Sequence, residues 1–389
     1  MKRLKKDIAR VMDEAVARGE TPGVIALLWR HGEEKLYHAS GFADLGRNTP
    51  IERDTVMRLY SLTKPMLAVT AMTLVERGDL DLITPVSEFL SGYRNQRVAT
   101  GEGKSVPAKN PMLVRDLFTM TSGLCYGGDE GPAERAMAKL FSAFEEETAA
   151  GNQPDTITAA NRIGELPLAF EPGTRWKYGT SADVLGAVVE VVSGKPLDQY
   201  MREVLFEPLR MEETGFFVPE EQQPRLATLY EHKDGILSPY LRHDFVVTHG
   251  STRPNFISGG AGLSSTTEDV LRFARMMLGE GELYGERILT PRSHAWLTRN
   301  HLNETQAKYA DWDNFAGYGY GGLMRVMMDP AKSFGLGVTG EYGWDGWSGV
   351  YMTVCPEEDL TFIVMQQKTN TGASVLTRKL CNVLYAHLS

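Results

Sequence analysis

The sequence predicts an α+β fold: an antiparallel sheet built from N- and C-terminal segments, flanked by helices, with a mainly helical domain inserted. Three observations lead there. Strand patterns sit near both ends, at 23–41 and 318–366, while the signals from 86 to about 250 are mostly helical. The two terminal segments are themselves helical in pattern. One further helix, opening at Tyr60-Ser61-Leu62-Thr63-Lys64-Pro65-Met66, is apolar on most sides and so belongs inside. The division predicted is 1–85 with 260–389 as a discontinuous sheet domain, and 86–259 as the helical domain.

Taken in order, Leu4, Ile8, Val11, Met12 and Ala15 recur at helical spacing among charges, giving an amphipathic first helix rather than a secretion signal. Gly23–Trp29 and Lys35–Gly41 read as strands joined by the turn Arg30-His31-Gly32-Glu33. The Ser61 helix carries Pro65 in its first turn, where a missing N–H removes no bond, and Gly78 just past its end. Asp81 to Pro85 is a turn. Residues 126–161 form a Gly-, Ala- and Glu-rich insertion with a helical centre, equally a lid over a site or a plain surface helix. Phe170–Gly173 is a turn, and Ser181–Val192 a helix closed by Gly194.

Ser258–Gly262 is glycine-rich but has no lysine after it, so it reads as close packing rather than a phosphate cradle. Ser265-Thr266-Thr267-Glu268 reads as a capping box for a helix through Leu278. Tyr318–Met328, Ser348–Cys355 and Leu360–Gln366 read as strands, and 373–388 as the last helix.

Composition narrows the function. A net charge of −9 with no basic stripe excludes a nucleic-acid partner. No apolar run is long enough to cross a membrane. Three scattered cysteines, Cys125, Cys355 and Cys381, make neither a disulfide framework nor a zinc site. No metal or cofactor is expected, the oligomeric state is left open, and the chain reads as cytoplasmic.

The chemistry is in Ser61-x-x-Lys64. One helical turn apart, hydroxyl and amine lie over the same face. A serine is a weak nucleophile until a neighbour takes its proton, and burial equips an amine for that by penalising its ammonium form. The helix N-terminus adds a field that favours an oxyanion. By chance alone such a tetrad occurs roughly once in a chain of this length, and Ser61 as a simple helix cap is the plainer reading.

Two further motifs change that balance: Tyr178-Gly179-Thr180, then Gly343-Trp344-Asp345-Gly346-Trp347 ahead of a strand. In this order they resemble the serine β-lactamase and penicillin-binding-protein superfamily. The closest likeness is to the class C β-lactamase-related group that includes family VIII carboxylesterases and D-amino-acid peptidases. Arg58–Pro65, Leu117–Leu124, Phe170–Gly173, Val192–Leu197, Phe206–Leu209, Gly259–Thr266 and Asp269–Ala274 extend the likeness over nearly the whole chain.

The resemblance implies a β-lactamase/transpeptidase-like fold and a role for each motif. Ser61 would be acylated, with Lys64 and Tyr178 sharing the proton transfers: Tyr178 is the family's favoured base, its phenol lowered by the nearby lysine, and which of the two acts at each step is left open. The backbone N–H groups of Ser61 and Trp347 would form the oxyanion hole, with Thr180, Trp344, Asp345 and Gly346 binding substrate.

Departures from the pattern bear on substrate. Thr180 stands where class C enzymes carry an asparagine, and Trp344-Asp345-Gly346 where they carry Lys-Thr-Gly. Trp347-Ser348-Gly349 is an alternative register, also without lysine. Losing a cation that receives a substrate carboxylate weakens binding by roughly 1.5–3 kcal/mol. The expectation is therefore a serine hydrolase acting on small esters, or amides, more than on lactams. A β-lactamase or D-amino-acid peptidase is the second reading, and a non-catalytic scaffold of the same fold the third. Asp345 with Trp344, Trp347, Tyr342 and Tyr351 suggests an aromatic, mildly acidic pocket for neutral or amine-bearing acyl groups. Asp345 facing away from the site is an equal alternative.

Overall fold

The computed structural model describes residues 1–242, 251–310, 312 and 315–388; the end of the predicted helical stretch, 243–250, lies outside them. Eight strands form one antiparallel sheet: β1 (Gly23–Arg30), β2 (Glu33–Asp44), β3 (Thr49–Pro50), β4 (Tyr318–Tyr320), β5 (Arg325–Met327), β6 (Tyr342–Asp345), β7 (Tyr351–Cys355) and β8 (Leu360–Gln366). Their order is β4-β5-β6-β7-β8-β1-β2-β3, so the two ends of the chain meet where β8 pairs with β1, Ile25 opposite Met365.

The pleat sorts β1 onto two cores. Val24, Ala26 and Leu28 face a layer made by α1 (Lys2–Ala17) and the C-terminal helix, with Leu4, Ile8, Met12, Leu380 and Leu384 fully buried there. Ile25 and Leu27 face the larger core that contains α2 (Thr63–Glu76). Every residue of α2 from Thr63 to Leu74 is buried, as its unbroken apolar pattern requires. Each fully buried Leu or Met contributes about 1.5–3 kcal/mol. α3 (Pro132–Ala149) adds Met137 and Phe144 to the larger core, α4 (Ser181–Ser193) packs on α2, α5 (Thr267–Leu278) lies against β7 and β8, and α6 (Val375–Tyr385) completes the outer layer. Gly78 and Gly194 end α2 and α4 at φ of 76° and 67°.

The structure departs from expectation in four places. The span Tyr318–Met328 is a hairpin, turned by Gly321 N–H donating to the Met324 carbonyl at 2.8 Å with Leu323 left-handed at φ of 57°, and Gly321 leaves room for the close-lying Leu297 carbonyl. Tyr342–Asp345 is itself a strand rather than the approach to one. The helical segment contains two hairpins, at 97–107 and 230–239. The cap of α5 is Thr266, which accepts from Asp269 N–H, while Asp269 turns to accept from Glu213 N–H and Thr214 Oγ1. Among the described residues no helix is long and apolar enough to cross a membrane.

Candidate active site

Tyr60, Ser61 and Leu62 form a 3-10 turn that runs directly into α2. Tyr60 has φ of 47°, a left-handed conformation that an aromatic residue seldom adopts. Packing and hydrogen bonds hold it. Its ring meets Trp347 edge-on at 5.2 Å. Just upstream, the Arg58 carbonyl accepts from Ser348 Oγ at 2.8 Å and Gln367 Nε2 at 3.1 Å. Gly346 passes so close that a Cβ there would lie 2.1 Å from the Leu59 carbonyl oxygen. The C-terminal strands therefore brace the turn that carries Ser61.

Lys64 is fully buried although it is charged in water. Its Nζ donates to Ser61 Oγ at 3.0 Å, to Tyr126 Oη at 3.1 Å and to the Gly260 carbonyl at 2.7 Å. It also lies 4.7 Å from the centre of the Tyr178 ring. Desolvation lowers the amine from 10.5 to about 7, with Asp183 and Asp345 opposing the fall. Asp183, in the first turn of α4, accepts from Ser258 Oγ at 2.6 Å and Gly260 N–H at 3.0 Å. This fixes the carbonyl that Lys64 meets.

The Tyr178 phenol, expected to be lowered by the lysine, moves the opposite way: burial raises it, against hydrogen bonds with Ser61 and Trp344, and the lysine amine lies over its ring face. Trp344 Nε1 donates to its oxygen at 3.2 Å. At neutral pH this pairs a phenol that stays protonated with an amine that readily gives up its proton.

These groups open on a cleft of about 660 Å³ walled by the rings of Tyr126, Tyr178, Trp312, Phe315, Trp344 and Trp347. Tyr126 and Glu145, from the 126–161 insertion, line one side of it. No cluster of His, Cys, Asp and Glu among the described residues is arranged to hold a metal.

A family model described as Beta-lactamase matches residues 8–381. The chain belongs to the beta-lactamase family. It is 31% identical over 354 residues to esterase EstB of Burkholderia gladioli, covering 88% of this chain and 84% of that one. Its fold matches EstCE1, described as a hydrolase with promiscuous acyltransferase activity, with a TM-score of 0.80 at 24% identity over 99% of both chains. Simvastatin synthase of Aspergillus terreus aligns with a TM-score of 0.78 at 20% identity over 98% of both chains.

Within this beta-lactamase fold, Ser61, Tyr178, Trp344, Asp345 and Trp347 line the cleft together, with Lys64 directly beneath Ser61. Of the two registers for the third motif, Trp344–Gly346 brings its first residue to Tyr178, and its glycine runs against the Ser61 turn. Trp347 is the second residue of the tight turn closed by Gly349 N–H to the Gly346 carbonyl. Its own backbone N–H has no acceptor among the described residues. Gly346 is buried behind the cleft rather than lining it. Thr180 is fully buried at the start of α4, away from the lining residues, and its Oγ1 has no partner among the described residues.

The aromatic pocket differs in membership from expectation. Tyr342 is turned into the core, donating to the Met277 carbonyl and bonded to His294, and Tyr351 packs under Arg325. Asp345 does face the cleft, but it is not a free acid: Arg325 of β5 is ion-paired with it. Arg325 and Tyr126 escaped sequence reasoning. Nothing in local spacing marks either one, since each reaches the site by long-range packing.

Proposed function

We propose that this protein is a serine ester hydrolase that works through an acyl-enzyme on Ser61. The observation that carries this reading is a fully buried Lys64 amine 3.0 Å from Ser61 Oγ, with desolvation lowering it to about 7. Neutral Lys64 takes the hydroxyl proton as Ser61 Oγ adds to the ester carbonyl. The ammonium so formed is met by the carboxylates of Asp183 and Asp345 and the face of Tyr178. The backbone N–H groups of Ser61 and Trp347 receive the oxyanion.

Tyr178, kept protonated by its surroundings, donates to the departing alkoxide and is reprotonated from Lys64. Water then adds to the acyl-enzyme by the same route in reverse. An alcohol in place of water gives acyl transfer, a fate supported by the promiscuous acyltransferase activity of EstCE1 and by a cleft of about 660 Å³. The insertion at 126–161, which supplies Tyr126 and Glu145, acts as a lid over the cleft. Trp344 in place of a cation favours uncharged esters over lactams or D-peptides, whose carboxylate would find no partner there.

The test is labelling with a fluorophosphonate probe alongside hydrolysis of p-nitrophenyl butyrate. Both are expected for the wild type and lost in Ser61→Ala. Equal labelling of the variant, or no ester turnover by the wild type, overturns the reading. Nitrocefin turnover matching that of the ester reassigns the protein to lactam hydrolysis.

A further inference from the structure

The ion pair between Asp345 on β6 and Arg325 on β5 lies in the wall of the same cleft, where Asp345 acts on Lys64 through space and contacts none of the groups that exchange protons. Asp345 uses Oδ2 for Arg325, and its side chain keeps 23% of its surface exposed. No donor among the described residues reaches Oδ1. What borders that oxygen is Gly372, also in the cleft wall, where a Cβ would stand 2.9 Å from Oδ1. A side chain at 372 would cover the oxygen; glycine leaves it open to a ligand.

Arg325 is buried, with its guanidinium 4.9 Å from the ring centre of Tyr351, 5.6 Å from Tyr318 and 5.7 Å from Trp344. Its Nη2 has no hydrogen-bond acceptor among the described residues, so its charge is directed at Asp345 and at ring faces. The cleft wall thus carries a carboxylate oxygen with its charge cancelled from behind.

The geometry points to the Asp345–Arg325 pair as the substrate selector of the cleft: Asp345 Oδ1 accepts a hydrogen bond from a neutral hydroxyl or amide N–H of the ester substrate, and Arg325, as a positioning residue, keeps cations from being favoured there. This rests on the ester-hydrolase reading and names its substrate class: esters bearing an uncharged hydrogen-bond donor, flanked by apolar surface that suits the aromatic walls.

The experiment compares kcat/KM for four matched p-nitrophenyl esters whose acyl chains end in methyl, hydroxymethyl, ammonium or carboxylate. The wild type is expected to prefer the hydroxymethyl ester over each of the others by about fivefold or more. Arg325→Met strips the charge from behind Asp345, and its ammonium-to-hydroxymethyl ratio is expected to rise about tenfold or more. Asp345→Asn leaves Arg325 uncompensated, and its carboxylate-to-hydroxymethyl ratio is expected to rise by a similar factor. A general loss of structure lowers all four rates together and leaves the ratios alone, so the ratios isolate the effect.

If Arg325→Met does not fold, Asp345→Asn alone supplies the readout. A wild type that ranks the ammonium ester first, or ratios unchanged in whichever variant folds, overturns the proposal while leaving ester hydrolysis in place. Absence of Ser61-dependent turnover of all four esters instead overturns the ester-hydrolase reading itself.

Discussion

Lys64→Met exchanges an amine for a thioether of similar length in the first turn of α2, where nothing is exposed to water. A fall from 10.5 to about 7 corresponds to about 5 kcal/mol of discrimination against the ammonium form. The unfolded chain holds this proton up to about pH 10.5 and the folded chain only up to about 7, so between those values the unfolded state is the more protonated. Stability from this group therefore rises with pH across that window, and the full penalty applies below about pH 7. At pH 7 methionine relieves about 4 kcal/mol of it. Against that, the Gly260 carbonyl loses its 2.7 Å donor, a buried acceptor left unmade at a cost of about 1–3 kcal/mol.

The variant is thus expected to be about 1–3 kcal/mol more stable than the wild type at pH 7, with the advantage shrinking as pH rises toward 10. Its esterase activity is expected to fall about 10²–10⁴-fold for want of the base. Urea denaturation at pH 7 and 9.5, with ester hydrolysis on the same samples, measures both. A Lys64→Met protein less stable than wild type at pH 7, or one whose stability difference is the same at both pH values, refutes the argument that burial is what makes this amine a base.

Three more outcomes follow from the geometry. kcat/KM for an uncharged ester is expected to rise with pH along a limb centred near 7, because the neutral form of Lys64 is the reactive one; a stopped-flow or plate assay from pH 5 to 9 traces it. Trp344→Phe keeps the ring but removes the N–H that donates to Tyr178, and is expected to lower kcat about 2–12-fold with little change in folding stability. Gly346→Ala drives a methyl group into the Leu59 carbonyl, and is expected to cost about 1–3 kcal/mol in thermal or urea unfolding and to reduce fluorophosphonate labelling of Ser61.

Legibility in the sequence tracked the range over which each feature is decided. The Ser61 helix was readable because its signals are local: Pro65 at the start, an apolar run, Gly78 at the end. β1, β7 and β8 were readable as compact apolar runs that the core needs on both faces. The hairpins at 97–107 and 230–239 were not, since their short strands are partly exposed and carry no clean alternation.

Site chemistry divided the same way. Ser61 and Lys64 are one turn apart, so their contact is written in the spacing. Tyr126 meets Lys64 across 62 residues of chain. The partnership of Arg325 with Asp345 depends on β5 lying beside β6, with Arg325 opposite Gly343, and no pattern within either strand announces that pairing. Thr180 was judged by its place in a motif, and the motif does not say that the residue is enclosed at a helix start.

The brace formed by Ser348 and Gln367 on the Arg58 carbonyl ties the Ser61 turn to segments beside β7 and β8 that are synthesised about three hundred residues later. During translation Ser61 leaves the ribosome long before the groups that shape its turn exist, so a nascent or prematurely terminated polypeptide is expected to carry the proposed nucleophile without its reactivity. On the acyl-enzyme reading proposed above, acylating power is switched on only when those later segments have folded against the turn. The same dependence makes ester turnover a direct readout of whether two separately expressed halves, cut between β5 and β6, have found each other.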